Sequence, residues 1–155
     1  TNTKGAFFVA QEVARRMIAR SRGAAPGSFT GGRIINVASM AGLKVLPQIG
    51  AYCMSKAAVV HMTRAMAMEW GRFGINTNAV CPGYTETEIV KTSIDRVVAK
   101  TGRTPEQAMA EFVKSNPQGR LVQPHEVADA VLWLCGRGAS SITGQAIAVA
   151  GGEVM

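Results

Sequence analysis

Charge is scarce in this chain. Asp, Glu, Lys and Arg make up 17% of its 155 residues, while hydrophobic residues make up 47%. That balance excludes a disordered acidic or basic tail. Long apolar runs are absent too, since none approaches the roughly 20 residues that a membrane-spanning helix needs. The opening "TNTKGAFFVAQEVARRM" has no secretory pattern, because Gln11, Glu12 and Arg15 interrupt its apolar residues. Cysteine is sparse: Cys53, Cys81 and Cys135 form no CxxC pair and leave one over. Free thiols in a reducing cytoplasm are expected, with no membrane partner. Neither His61 nor His125 stands at a zinc-ligand spacing from these cysteines, so no metal is expected. Aromatics are only 6%, without basic–aromatic interleaving, so no nucleic-acid partner is expected. What remains is enough apolar surface for one domain with a core.

The net charge is +7. Arg15, Arg16, Arg20 and Arg22 crowd the end of a first predicted helix, where cations suit the helix dipole. A solvated helix end accounts for them, and an anionic small ligand suits the overall charge equally well.

Phe7, Ala10, Ala14, Met17 and Ile18 recur at helical spacing, which predicts a helix over about 2–21. "GAAPGSFTGG" (23–32) reads as a surface loop. "RIINVAS" (33–39) is a β-branched run expected to be a strand buried on both faces. A loop with Gly42, Pro47 and Gly50 leads to a helix over 51–72, stopped by Gly71 and Gly74. "INTNAVCPG" (75–83) is a second strand. Weak helical patterns follow at 86–100 and 105–114, the second opened by Thr104-Pro105-Glu106. "PHEVADAVLWLCG" is a strong helix whose Val127, Val131, Leu132 and Leu134 are expected to face a core, and "QAIAVAGG" is a closing strand. Strands alternating with helices predict an α/β fold with a parallel sheet covered on both faces. Met40, Met54, Met62, Met66 and Met68 read as core filler.

Tyr52 and Lys56 stand at i and i+4, and therefore on one helix face. A free phenol ionises near pH 10, too high for neutral acid–base work. An ammonium about 5 Å from a phenolate stabilises it by roughly 3 kcal/mol at an effective dielectric near 20, enough to make such a pair a proton shuttle. Ser39 follows a parallel strand, at the edge where ligands bind in open α/β sheets, and its hydroxyl can hold the same oxygen. The tyrosine–lysine spacing alone occurs by chance in many helices. The thirteen-residue step from Ser39 to Tyr52, together with the flanking strands, makes the arrangement specific.

With Asn2, Ser39, Tyr52, Lys56, Pro82-Gly83, Thr87 and the closing "ITGQAIAVAGG", the chain resembles the short-chain dehydrogenase/reductase family along its whole length. Its C-terminal part looks most like the branch of 3-oxoacyl reductases, 3-hydroxyacyl-CoA dehydrogenases and polyketide ketoreductases. The resemblance implies an NAD- or NADP-dependent oxidoreductase that moves a hydride between nicotinamide and a carbonyl or secondary alcohol, on a small-molecule substrate such as a 3-oxoacyl thioester. It implies catalytic roles for Asn2, Ser39, Tyr52 and Lys56. Tyr52 is then the proton donor or acceptor, Ser39 binds the substrate oxygen, Lys56 contacts the ribose, and Asn2 supports a water relay to that lysine. It also implies cofactor contacts from Tyr52, Lys56, Pro82, Gly83, Thr85 and Thr87, and a substrate lid over about 84–122. Tyr84 is left between a pocket residue and simple packing, Asn2 between the relay and a helix cap, and Arg120 between steering an anionic carrier and pairing with a carboxylate.

The family's glycine-rich phosphate turn has no match here: "GGRIIN" precedes a strand and "GRFGIN" joins a helix to one. Ala150 also stands where the family often has aspartate. The expectation is a Rossmann-like doubly wound parallel sheet lacking its N-terminal half, with residues 1–155 the C-terminal part of one NAD(P)-binding domain, inactive alone. The family's subunit interface lies on helices like 2–21 and 51–72, so a homo-oligomer, dimer or tetramer, is expected. A non-catalytic oligomerisation fragment is the alternative.

Overall fold

Strand β2 (Ile75–Pro82) is buried along nearly its whole length, and the other elements are laid around it. The structure, a computed structural model, describes residues 2–24 and 31–154, so most of the expected loop at 23–32 lies outside the described residues. β2 pairs in parallel with β1 (Gly32–Val37) on one side and with β3 (Ala146–Val149) on the other. Helices α1 (Asn2–Gly23) and α2 (Gly50–Trp70) precede β1 and β2. Between β2 and β3 come α3 (Glu88–Thr101), α4 (Pro105–Val113) and α5 (Pro124–Cys135).

The two faces of β2 alternate, as strand geometry requires. Ile75, Ala79 and Cys81 pack with Ile34 and Ala38 against α1 and α2 through Ala10, Ala14, Val59, Val60 and Met66. Val80 faces the other way, onto Leu134 of α5 and Ala139. Val59, Ile75, Val80 and Leu134 are fully buried, each worth about 1.5–3 kcal/mol. The chain therefore crosses from β1 to β2 over one face and from β2 to β3 over the other while advancing the same way across the sheet. One of these crossovers departs from the usual right-handed preference.

Several expectations need correction. Among the described residues β1 is not buried on both faces: the side carrying Ile34, Asn36 and Ala38 lies under α1 and α2, while Val37 on the other side is 59% exposed. Met54 and Met68 are exposed, at 70% and 86%, whereas Met40 and Met66 are buried. Leu132 is exposed too, because α5 turns Leu134 inward. Helix α2 ends a little early: Gly71 stays helical into a tight turn (Gly71–Phe73), and Gly74 at φ +72° breaks it. Arg20 and Arg22 occupy the last turn of α1, but Arg15 and Arg16 pair with Glu12 one turn earlier. Cys53 and Cys81 are buried and Cys135 is exposed, all as free thiols. Among the described residues no helix is long and apolar enough to cross a membrane, and no His/Cys/Asp/Glu cluster fits a metal ion.

Several polar groups in the core are paired, although the wholly buried Thr77 hydroxyl has no partner among the described residues. The Asn36 amide donates to Thr63 Oγ1 at 2.9 Å. Asn78, wholly buried, donates to the Ile142 carbonyl at 2.8 Å and accepts from the Gln145 amide at 3.0 Å, which fixes the entry to β3. Arg120 grips Glu126 with both guanidinium nitrogens, at 2.8 and 2.6 Å, while Glu126 also accepts from the Gln123 amide at the start of α5. Arg120 is thus the structural partner of a carboxylate.

Asn78→Leu strands one buried carbonyl and one amide, and should lower unfolding free energy in urea by about 2 kcal/mol or more. Arg120, with the Gln123 amide, holds the Glu126 carboxyl down from 4.5 to about 2. Its folded value lies below its unfolded one, so the stabilisation is present above pH 4.5 and fades as pH falls towards 2. The difference in urea midpoint between native protein and Glu126→Gln should therefore be largest near pH 6 and shrink steadily below pH 4.5.

Candidate active site

β1 ends opposite Val80, two residues before β2 ends at Pro82. Val37 lies opposite Val80, and the Ala38 amide still bonds the Val80 carbonyl at 2.8 Å, so both chains leave the sheet on the same edge. Ser39 follows at once and caps a short 3-10 turn, Met40–Gly42. Its Oγ accepts from the Ala41 amide at 3.1 Å, which leaves the hydroxyl proton available to donate.

Gly42 then meets α2. A Cβ placed on it would stand 2.7 Å from the Lys56 carbonyl oxygen and 3.1 Å from the Ala57 nitrogen. Only glycine lets this turn lie against the helix backbone at the lysine. Further along, the Leu46 amide donates to Cys53 Sγ at 3.4 Å and ties the loop to the first turns of α2.

Tyr52 and Lys56 share one side of α2, with Lys56 Nζ 5.7 Å from the tyrosine ring centroid. The ammonium donates to the Val37 carbonyl at 3.1 Å, so it is anchored at the end of β1. Burial lowers its pKa, and the neighbouring Cys81 partly offsets this. Asn2, at the start of α1, donates to Ser55 Oγ at 3.3 Å, and Ser55 Oγ donates to the Tyr52 carbonyl at 2.8 Å. Asn2 therefore supports the turn that joins Tyr52 to Lys56.

Beyond β2, the Gly83 amide donates to the Val149 carbonyl at 3.0 Å. A Cβ on Gly83 would stand 3.1 Å from Ala150, a tight approach that a larger residue would meet only by pushing Ala150 aside. Tyr84 packs edge-on against Phe112 of α4 at 5.1 Å and lines the cleft as well, so it is both packing and pocket. Burial pushes its phenol pKa up, with the Glu153 charge a smaller cause. Thr85 forms a parallel bridge with Val122 that uses the Tyr84 carbonyl and the Glu86 amide. Thr85's own amide stays outside that bridge.

Ser39, Tyr52, Gly83, Tyr84, Thr85 and Thr87 line one cleft of about 290 Å³. Leu46, Ile49, Ile89, Val90 and Phe112 complete its walls, and no charged side chain lines it. Lys56 is held behind Tyr52, and Pro82 ends β2 outside the lining. Asn2 lines a separate open hollow with Tyr52 and Ser55. A larger groove of about 440 Å³ lies between α1 and α2 and holds none of the expected catalytic side chains. The sequence reading missed Gly42 and Phe112 as site builders. A glycine three residues after a strand-end serine was the one available hint, whereas nothing local tells which residue of α4 reaches Tyr84.

A family described as enoyl-(acyl carrier protein) reductase matches residues 1–153. The chain is 40% identical over 151 residues to an NAD-dependent glycerol dehydrogenase of Listeria innocua, covering 97% of this chain and 52% of that protein. It is 37% identical over 152 residues to a protein of Streptomyces coelicolor named as a ketoacyl reductase, covering 98% and 56%. Among solved structures, an actinorhodin polyketide ketoreductase variant crystallised with NADPH superposes with a TM-score of 0.86 at 36% identity, covering 99% of this chain and 56% of that one. The chain thus spans about half the length of the relatives it matches.

Gly42→Ala forces a methyl into the α2 backbone. It should cost about 1–3 kcal/mol in urea unfolding and speed amide exchange selectively over residues 50–57.

Proposed function

The chain belongs to the short-chain dehydrogenase/reductase family, a family of oxidoreductases, and on that premise we propose that its strand-end cleft interconverts a ketone and a secondary alcohol. The observation that carries this reading is one arrangement: Ser39 and Tyr52 face a single cleft, with the Lys56 ammonium 5.7 Å from the tyrosine ring. In reduction, Tyr52 gives its phenolic proton to the oxygen as it becomes an alkoxide; in oxidation it takes the proton back. Ser39 donates its hydroxyl proton to the same oxygen and fixes its position. Lys56 sets a positive charge where negative charge develops, and its bond to Val37 keeps it there. Asn2, through Ser55, steadies the helix turn, and in this reading it also supports a water relay towards Lys56.

A nicotinamide dinucleotide, NAD or NADP, supplies the hydride chemistry when bound. The residues fit it: Gly83 clears the turn of side chain, the Thr85 amide is uncommitted by its bridge, and Thr87 brings a hydroxyl. Pro82, Gly83, Thr85 and Thr87 would hold the nicotinamide end, and Tyr52 and Lys56 the ribose. Nothing in them separates NAD from NADP.

The uncharged lining supports a substrate whose body is hydrocarbon, a 3-oxoacyl thioester or a related ketone. Residues 84–122 act as its lid, docked by Tyr84 on Phe112. The helices also support self-association. Phe8, Val9, Met54 and Met68 of α1 and α2 are 53–86% exposed, and a groove runs between the two helices. A homodimer or homotetramer would cover them. A chain that associates through this surface without catalysing anything is the alternative reading.

In the natural chain that carries this sequence, Tyr52→Phe should lower kcat/KM for ketone reduction by about 10²–10⁴-fold. NAD(P)H affinity by fluorescence and the mass by sedimentation should stay unchanged. Retention of more than a tenth of native activity would remove Tyr52 from the chemistry. A native chain that sediments as an oligomer yet reduces no ketone would favour the non-catalytic reading.

A further inference from the structure

Glu153 is the least exposed ionised side chain in an ion pair of the described residues, at 1%. Nothing in the proton-transfer scheme uses it. It follows two glycines in left-handed backbone, Gly151 at φ +60° and Gly152 at φ +88°, which turn the chain back under the cleft after β3. Its Oε1 meets Lys44 Nζ at 3.0 Å, and that ammonium also donates to the Glu153 carbonyl at 3.3 Å. Ser115 Oγ donates to the same carboxylate oxygen.

Three segments meet at this carboxylate. Lys44 lies five residues after Ser39, in the loop that Leu46 continues into the cleft wall. Ser115 and the residues after it form the way out of the lid. There Asn116 and Pro117 pack so closely on Gly151 and Gly152 that a Cβ on either glycine would stand about 2.3 and 3.2 Å away. Gly83 abuts Ala150, and a Cβ on it would lie 3.6 Å from Glu153 Oε2. A buried ion pair is a poor source of net stability, because desolvation consumes most of its attraction. Its value is in register, since either partner left alone is costly and alternative placements are thereby excluded.

We propose that Lys44 and Glu153 are positioning residues: their ion pair holds the loop after Ser39, the Gly83 turn and the lid exit in one relation, and so sets the floor of the substrate cleft. The catalytic consequence rests on the oxidoreductase reading above; the tether does not. Lys44 contacts no reacting atom and acts by placing Ser39, while Glu153 acts by placing the lid and the Tyr84 turn.

The test uses the natural chain with Lys44→Met, Lys44→Arg, Glu153→Gln and the Lys44→Met/Glu153→Gln double variant. Hydrogen exchange should accelerate at least tenfold over 40–46 and 113–120 in the three charge-removing variants, with β1 and β2 unchanged. For ketone reduction, kcat/KM should fall about tenfold in Lys44→Met and in Glu153→Gln and no further in the double. KM for the ketone should rise, NAD(P)H affinity should hold, and Lys44→Arg should recover to within threefold of native. Exchange over both segments that matches native protein would overturn the tether. Altered exchange with native kcat and KM would overturn the positioning role. A native chain without ketone turnover, despite altered exchange in the variants, would sink the oxidoreductase reading and leave the tether standing.

Discussion

Everything in the cleft depends on the parallel register between β1 and β2. Because Val37 lies opposite Val80, the two strands release their chains side by side at the same edge. One delivers Ser39 and the other delivers Gly83 and Tyr84. A shift by one residue would turn Ile34, Asn36 and Ala38 away from α1 and α2 and would move Ser39 out of line with Tyr52. The register is enforced from both faces, by Ile75 and Ala79 against α1 and α2 and by Val80 against α5. Lys56 adds a local check by bonding the last carbonyl of β1. The same ammonium that faces the tyrosine ring also measures whether the strand has ended in the right place.

What could be read from the sequence was what chain geometry sets locally. Tyr52 and Lys56 lie one helical turn apart, so their common face follows from 3.6 residues per turn. Ser39 and Gly83 were legible as strand ends because β-branched runs stop there, and the Thr104-Pro105 start of α4 announced itself through capping chemistry realised in the structure. Contacts between distant residues were not legible. Lys44 and Glu153 are separated by 109 positions, and neither has a neighbour that names the other.

The misreadings have a physical cause as well. Helix α2 carries apolar residues on more than one side, so a periodic pattern cannot tell Met66, which is buried, from Met68, which is 86% exposed. The run "RIINVAS" is as apolar as a central strand, yet among the described residues β1 is closely covered on one face only, whereas β2 is covered on both. Hydrophobicity states what is able to be buried. The helices laid against each face decide what is.

Residues 86–121 depart from the sheet and come back at nearly one point, because Thr85 and Val122 are bridged and Glu86 bonds the Val122 carbonyl. An excursion whose two ends coincide meets the scaffold at few places, and its return is pinned where Ser115 bonds Glu153 and Asn116 packs on Gly151. Its midpoint is accommodating, since Gly102 at φ +68° has open space around it. The helical pair is therefore built like a cassette. Set apart in this way, it forms a wall of the cleft through Ile89, Val90 and Phe112, while the turn of α2 that carries Tyr52 and Lys56 is held by its own bond to β1.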